Sequence, residues 1–465
     1  MRPYTICLFA LLKGCTLTQP DWNGTSGLNL PKTWNNTEPV NKEDVTHGWI
    51  KEFADSQMEQ LVTEAIEHNR NLLAAAARLE AVREGTIISG AARLPSISVS
   101  GGGSRSRSQV SGTSPSVQIE GSQVSLGASW EADLWGRIAN LQKASIEDFK
   151  ANLADYNAAR LSLAANTAKA WCNLIAARQQ MDLASKTLDS FKRNYRITER
   201  NYKAGDPASS SLSVNFGRNQ VASAERSLIS RQLIIEDAKR SLELILGRYP
   251  AASVESRDVL PSLGKAVPAG LPSGLLMRRP DILAAAANVR ASLQRSSAAK
   301  LDLLPSISLN AGKSNSVASL ELQDLIQNPA SITRNLAVSV TQPIFHGGRL
   351  KARARQATAQ SEAAIATFSG TALQAFREVE SALAREQSLA TQEEYLDTEL
   401  RQANLGESQA YRDYAQGILG ILSVLEAQRR AFNARSSMIS LRNQRLQTRI
   451  SLHLALGGDF EPDNN

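Results

Sequence analysis

The residues of this chain able to do chemistry are few, and their spacing does not suit catalysis. The histidines, His47, His68, His346 and His453, are scattered with no HxxxH or HExxH interval, so no zinc-type ligand set can be read. Cys7, Cys15 and Cys172 form no metal-binding spacing, and two of them lie in an apolar N-terminal stretch, which leaves no disulfide framework. No GxxxxGKS/T, GxSxG or GxGxxG run is present, so neither a phosphate-cradling loop nor a nucleophile elbow is available. The expectation is a protein that is not an enzyme and holds neither metal nor cofactor.

One residue is placed for covalent modification. Arg2 precedes the apolar run from Ile6 to Leu12, a basic start and short apolar core that describe a secretory leader over residues 1–14. Leu12-Lys13-Gly14-Cys15 resembles a bacterial lipoprotein signal, which implies a covalent lipid on Cys15. Lys13 stands where a small or apolar residue is usual, and an uncleaved start with an ordinary cysteine is the alternative reading. No other run approaches the roughly 18–20 apolar residues of a spanning helix, so any entry into a membrane must use β-strands. The net charge of +7 is spread along 465 residues with no basic block carrying interleaved aromatics, which argues against nucleic acid as a partner.

The elements that carry these residues are duplicated. Asn71-Leu72-Leu73-Ala74-Ala75-Ala76-Ala77 matches Asp281-Ile282-Leu283-Ala284-Ala285-Ala286-Ala287, and Leu94-Pro95-Ser96-Ile97-Ser98 recurs as Leu304-Pro305-Ser306-Ile307-Ser308, both 210 residues on. Gly136-Arg137-Ile138 aligns with Gly348-Arg349-Leu350 and Tyr202-Lys203-Ala204-Gly205 with Tyr414-Ala415-Gln416-Gly417, at an offset of 212. Leu212-Ser213-Val214 matches Leu422-Ser423-Val424, again at 210. Such matches in one order and nearly one register indicate duplication.

Each copy begins with an Ala-rich helix, Met58 to about Ile88 or Pro280 to Leu301, ended by Leu-Pro because the residue before proline is pushed out of the α region. Two strands follow. Val124, Leu126, Ala128 and Trp130 keep period-two spacing, as do Leu336, Val338 and Val340, with the alternation broken once near Gly121. A strand with one lipid face and one watery face requires such alternation, although a half-buried soluble hairpin has it too. The Gly- and Ser-rich stretches Gly101 to Ser116 and Gly312 to about Arg334, including Ser104-Arg105-Ser106-Arg107-Ser108, read as solvated hairpin loops. From Ile138 to about Ala204 no proline or glycine intervenes, and Leu350 to about Gln416 carries only Gly370 and Gly406. Helices of that length would run on the order of 100 Å. Leu161, Ala164, Ala168, Trp171 and Ile175 repeat at three- and four-residue steps, a coiled-coil seam. The resulting division is a leader (1–14), an N-terminal segment and first short helix (15–93), a β-hairpin (94–137), a long helical hairpin (138–248), a linker (249–278), a short helix (279–303), a second β-hairpin (304–349), a second long hairpin (350–457) and a tail (458–465). The fold class is mostly α with a β-barrel part. Four strands cannot close a membrane barrel, for which about eight is the lower limit, so chains must associate; two would reach eight strands and three would reach twelve.

Specific motifs carry a resemblance. Leu94-Pro-Ser-Ile-Ser98, Trp130-Glu-Ala-Asp-Leu-Trp-Gly-Arg137, Gly270-Leu-Pro-Ser273 with Arg278-Arg-Pro-Asp-Ile282, Gln342-Pro-Ile-Phe-His-Gly-Gly-Arg349 and Tyr414-x-x-Gly417 followed by Val424-Leu-Glu-Ala-Gln428 stand in one order from about residue 50 to the C-terminus. The sequence resembles a TolC-like outer membrane factor, in the OprM/NodT lipoprotein branch of tripartite (RND-type) efflux systems. The resemblance implies a homotrimer with a 12-stranded barrel in the bacterial outer membrane and a coiled-coil α-barrel across the periplasm. It implies a periplasmic adaptor and an inner-membrane transporter as partners, and a passive exit duct for drugs or other small molecules. An export duct of a type I secretion system and a soluble coiled-coil scaffold are the alternatives. By the same resemblance the periplasmic gate falls on Glu426, with Ser423 at a position acidic in some members, and Asp413, Arg412 and Tyr414 are candidates for contacts that hold the end shut. Adaptor docking falls on the hairpin tips, Ala204 and Gly205, and Gln416 and Gly417. Tyr202 to Leu212 is two residues longer than Tyr414 to Leu422, so the first tip departs from the second.

Overall fold

The computed structural model describes residues 22, 33–34, 48–108, 117–205, 209–263, 267, 272–320, 322–327 and 330–459. The leader and Cys15 lie outside the described residues. In chain order the elements are α1 (Ser56–His68), α2 (Arg70–Ala91), β1 (Ser96–Ser108), β2 (Val117–Ala132), α3 (Arg137–Lys203), α4 (Ser211–Ile245), α5 (Pro272–Arg278), α6 (Pro280–Leu301), β3 (Ser306–Val317), α7 (Leu322–Gln327), β4 (Ser331–Thr341), α8 (Arg349–Ala415) and α9 (Ile421–Ala455). The duplication is visible in their lengths: α3 and α8 each have 67 residues, and α4 and α9 each have 35. The copies therefore differ at two places: the first is two residues longer in the turn joining the long helices, and the second is two residues longer between Leu304 and Gly348 than the first is between Leu94 and Gly136.

The chain folds as two compact units, and α3 and α8 give residues to both. The first unit holds residues 78–153 and 284–369 and contains one antiparallel sheet in the order β1-β2-β3-β4. Its faces differ in chemistry. Cross-strand register puts Ile97, Val99, Leu126, Trp130, Ile307, Leu309, Leu336, Val338 and Val340 on one face. The other face carries serine, threonine, asparagine, glutamine and glycine at nearly every position. Leu336, Val338 and Val340 expose 76%, 67% and 64% of their surface, so the apolar face has no cover there among the described residues. At the sheet base, Trp130 Nε1 donates to Arg93 O (2.9 Å) and Trp135 Nε1 to Pro305 O (2.6 Å). Asp133 accepts from Ile138 N (3.0 Å) and Ala139 N (2.7 Å), which starts α3, while Arg137 grips Glu131 at 2.8 and 2.9 Å.

Three expectations are corrected. The Gly/Ser runs are strand as well as loop: β1 continues to Ser108 and β3 to Val317, because the partner strand satisfies backbone groups that the side chains there cannot stabilise by packing. The break in alternation near Gly121 is borne out, as a change of face without a bulge: the register runs unbroken from Ser96↔Ser129 to Ser108↔Val117 and puts Ile119 on the hydroxyl-bearing face. The first short helix is two helices. Asn69 takes an extended conformation, and its Oδ1 accepts from Asn71 N (3.0 Å) and Leu72 N (3.1 Å) while Nδ2 donates to Ile245 O (2.8 Å). Likewise, α5 occupies the end of the segment read as linker.

The second unit has the largest apolar core. The seam Leu161, Ala164, Ala168, Trp171 and Ile175 is buried, and its last four residues, at 0% exposure, share one core with Met58, Leu242, Leu446 and Ile450. Full burial of a large apolar side chain contributes roughly 1.5–3 kcal/mol. Asp55 caps α1 through Gln57 N and Met58 N, accepts from Trp171 Nε1 (3.0 Å) and pairs with Arg257 (3.2 Å). Burial, with Asp55 nearby, pushes the Cys172 thiol up to about 12, so it stays an inert core residue. Arg279, between α5 and α6, is 8% exposed and bonds Asp281 (2.7 Å), Glu378 (2.8 Å) and Ala455 O (3.1 Å). Gly457, at φ 71°, leaves room for this arginine: a Cβ there would meet Arg279 Cγ at 3.2 Å.

Candidate functional site

The tip of the second hairpin is built from a helix end, a small apolar plug and a buried polar quartet. Gly417 ends α8 at φ 75°, with its N–H on Tyr414 O (3.0 Å) and Ile418 N–H on Asp413 O (2.9 Å). These are the paired bonds of a Schellman turn, for which glycine carries no Cβ penalty. Ile421, Val424 and Leu425 of α9 bury against Ala410, with Tyr411 and Tyr414 packed on them.

One turn further along α9, Gln428 is 3% exposed. Its Oε1 accepts from Asn194 Nδ2 (2.8 Å), and its Nε2 donates to Ser190 Oγ (2.8 Å) and to the Tyr411 hydroxyl. Asn194 Nδ2 also donates to Tyr411 OH (3.0 Å), and Ser190 Oγ lies 3.1 Å from that hydroxyl. The quartet ties α3 of the first hairpin to both helices of the second. It borders a cavity lined by Ser190, Gln428, Phe432, Arg435 and Glu407, so its side chains have space to rearrange. The two-copy offset puts Arg218 and Glu199 where the second copy has Gln428 and Tyr411, so the first hairpin has no counterpart of that pair.

Above it the second hairpin is laced by ion pairs. Arg435 bonds Glu407 (2.6 Å) and Asn404 (2.6 Å), Arg442 and Arg445 share Glu393, and Arg449 holds Glu386. Burial raises the Glu393 carboxyl, but the bonds from Arg445 and Arg442 outweigh it and hold the group below its ordinary 4.5.

The residues expected at the gate divide. Glu426 is half exposed and engaged by two guanidinium groups, Arg429 at 2.7 Å and Arg430 at 3.0 Å, whose hydrogen bonds keep its carboxyl below the ordinary value. Those three side chains sum to one positive charge. Ser423 is exposed in the first turn of α9, and its N–H donates to Gly420 O. Arg412 (2.5 Å) and Asp413 (2.7 Å) both bond Gln409 on their own helix, and Tyr414 joins the apolar plug. Tyr414 thus contacts α9 through the plug, whereas the polar contacts to α3 come from Ser190, Asn194, Tyr411 and Gln428, of which the quoted motifs contain only Gln428. A signal was present: Ile421, Val424, Leu425 and Gln428 share one stripe at helical spacing, and a glutamine on an apolar stripe requires polar partners. The tip residues Ala204, Gly205, Gln416 and Gly417 are all exposed. The side chains gathered here bond one another and present no nucleophile–base pair, so the site latches helices together.

Comparison with known proteins finds the same duplication. The family described as outer membrane efflux protein matches residues 61–248 and again 271–458, two stretches 210 residues apart. The cation efflux system protein CusC of Escherichia coli (strain K12) is 30% identical over 459 residues, covering 97% of this chain and 98% of that protein. The pyoverdine export outer membrane protein OpmQ of Pseudomonas aeruginosa is 29% identical over 448 residues, covering 94% and 93%. Among solved structures, the outer-membrane channel OprN superposes with a TM-score of 0.85 at 26% identity, covering 96% of this chain and all of that one.

Proposed function

Because the chain belongs to the outer membrane efflux protein family, we propose that its work as an outer-membrane efflux channel is done by a homotrimer whose sheets join into one 12-stranded barrel. The observation that carries this reading is the sheet itself. Among the described residues it has an uncovered apolar face, a hydroxyl-bearing face, and unpaired outer edges on β1 and β4. In hydrocarbon an open edge leaves backbone N–H and C=O groups unsatisfied, at several kcal/mol each, so β1 of one copy must pair with β4 of the next. The apolar face then meets lipid and the hydroxyl-bearing face lines the pore.

The long hairpins extend into the periplasm, and the quartet around Gln428 holds the second hairpin inward in the closed state. A periplasmic adaptor engages the exposed tips at Ala204, Gly205, Gln416 and Gly417. Rupture of the quartet lets α8 and α9 swing away from α3, and an inner-membrane transporter delivers small molecules into the open duct. Glu426 stands at the constriction with Arg429 and Arg430, so the charge offered there is one net positive per chain. A lipid on Cys15 anchors the N-terminus to the membrane.

Closure is tested by single cysteines introduced on the facing edges, Ser100→Cys in β1 with Ala337→Cys and its neighbours scanned in β4. A disulfide ladder ending at three chains is expected. A ladder ending at two would give an eight-stranded barrel and overturn the reading.

A further inference from the structure

The charged side chains of the sheet are segregated by face. Among strand residues, the hydroxyl-bearing face carries one charge, Glu131, and Arg137 neutralises it. Arg105, Arg107, Glu120, Lys313 and Arg334 all lie on the apolar face by register, toward the hairpin loops. Glu120 is taken by Arg105 at 2.7 Å. Lys313 and Arg334 are both exposed and stand directly opposite each other on β3 and β4, and neither forms an ion pair among the described residues. Leu126 and Val99 continue that row, and Leu336 and Ala311 form the next.

Like charges directly opposite in a sheet repel, and an apolar surround gives them little water to screen the repulsion. Long cationic side chains on such a face lie along it and reach for the polar boundary of the bilayer. A planar guanidinium beside an ammonium suits the oxygens of a phosphate group.

We propose that Lys313 and Arg334 form a binding site for the phosphate of a phosphorylated glycolipid of the surrounding bilayer. The inference rests on the apolar face being the lipid face. The site leaves the pore lining uncharged and fixes the height of the barrel in the membrane.

The test reconstitutes the full chain in phosphatidylcholine vesicles with and without diphosphoryl lipid A, and measures lipid A retained per chain after mild detergent extraction. Wild type should retain it, and Lys313→Gln with Arg334→Gln should weaken retention about 30-fold, the worth of two cations near a charged lipid surface. Arg401→Gln, a charge change on α8, should leave retention unchanged. Lys313→Glu turns the like pair into an ion pair, so it should keep the sheet stable and still abolish retention. Equal retention by wild type and the double variant overturns the site. Displacement of lipid A by inorganic phosphate at comparable concentration overturns its assignment to a lipid. Conductance of the Gln428→Ala channel in the same vesicles separates the premises: conduction with unaltered retention refutes this site alone, and absence of conduction refutes the exit-duct reading with it.

Discussion

Replacing Gln428 by alanine removes three hydrogen bonds from the quartet: one accepted from Asn194 and two donated, to Ser190 and Tyr411. A buried hydrogen bond contributes a net of about 1 kcal/mol. Ser190, Asn194 and Tyr411 remain bonded to one another, so the loss is about 2 kcal/mol per chain rather than three. If the three copies of a trimer open together, the closed state loses roughly 6 kcal/mol, more than the ~5.5 kcal/mol that moves a two-state equilibrium from 1:99 to 99:1. Gln428→Ala should therefore turn a mostly closed channel into a mostly open one. The assay is single-channel conductance in planar bilayers, paired with thermal unfolding of the same preparation. Tyr411→Phe removes the shared hydroxyl and should act in the same direction. Wild-type conductance from folded Gln428→Ala channels would refute the latch.

Glu426→Gln frees Arg429 and Arg430 of their carboxylate, so the reversal potential of open channels should move toward anion selectivity; no movement would place Glu426 away from the ion path. Arg279→Ala removes the bonds to Asp281, Glu378 and Ala455 O; because both carboxylates stay partly solvated, the cost should be about 1.5–3 kcal/mol and appear as a lower unfolding temperature. Glu243 is wholly buried and accepts from Ala252 N, Ser253 N, Ser253 Oγ and Val254 N; burial raises its carboxyl, but those bonds outweigh it and hold the group below 4.5. Its stabilising contribution is therefore complete above the unfolded value and lost as pH falls through the folded one, so wild type should lose stability on acidification while Glu243→Gln starts lower and changes less. Gly417→Ala meets no atom within 4 Å but forces a side chain into the left-handed region, a cost of about 1–2 kcal/mol visible in thermal unfolding.

Long periodic features were legible in the sequence, whereas features set by pairing or by single polar contacts were less so. The Pro- and Gly-free runs and the Leu161–Ile175 seam marked the long helices, because helical spacing repeats often enough to be read. Gly101 to Ser108 did not read as strand, since Gly and Ser have low strand preference and are held there by the ladder to residues 117–124. The same extension of β3 is what brings Lys313 opposite Arg334 on the neighbouring ladder. Asn69 interrupts the first short helix by capping the next, a polar contact that an Ala-rich stretch conceals. At the tip of the second hairpin, the family motif directed attention to Glu426, whereas its last residue, Gln428, makes polar contacts between helices.

Every step of this mechanism depends on three chains closing one barrel. Mass determination of the purified channel in detergent, with the contribution of bound detergent removed, tests it most directly. Three chains are expected in every particle that conducts. Conducting particles of two chains, or of one, would contradict closure by a trimer.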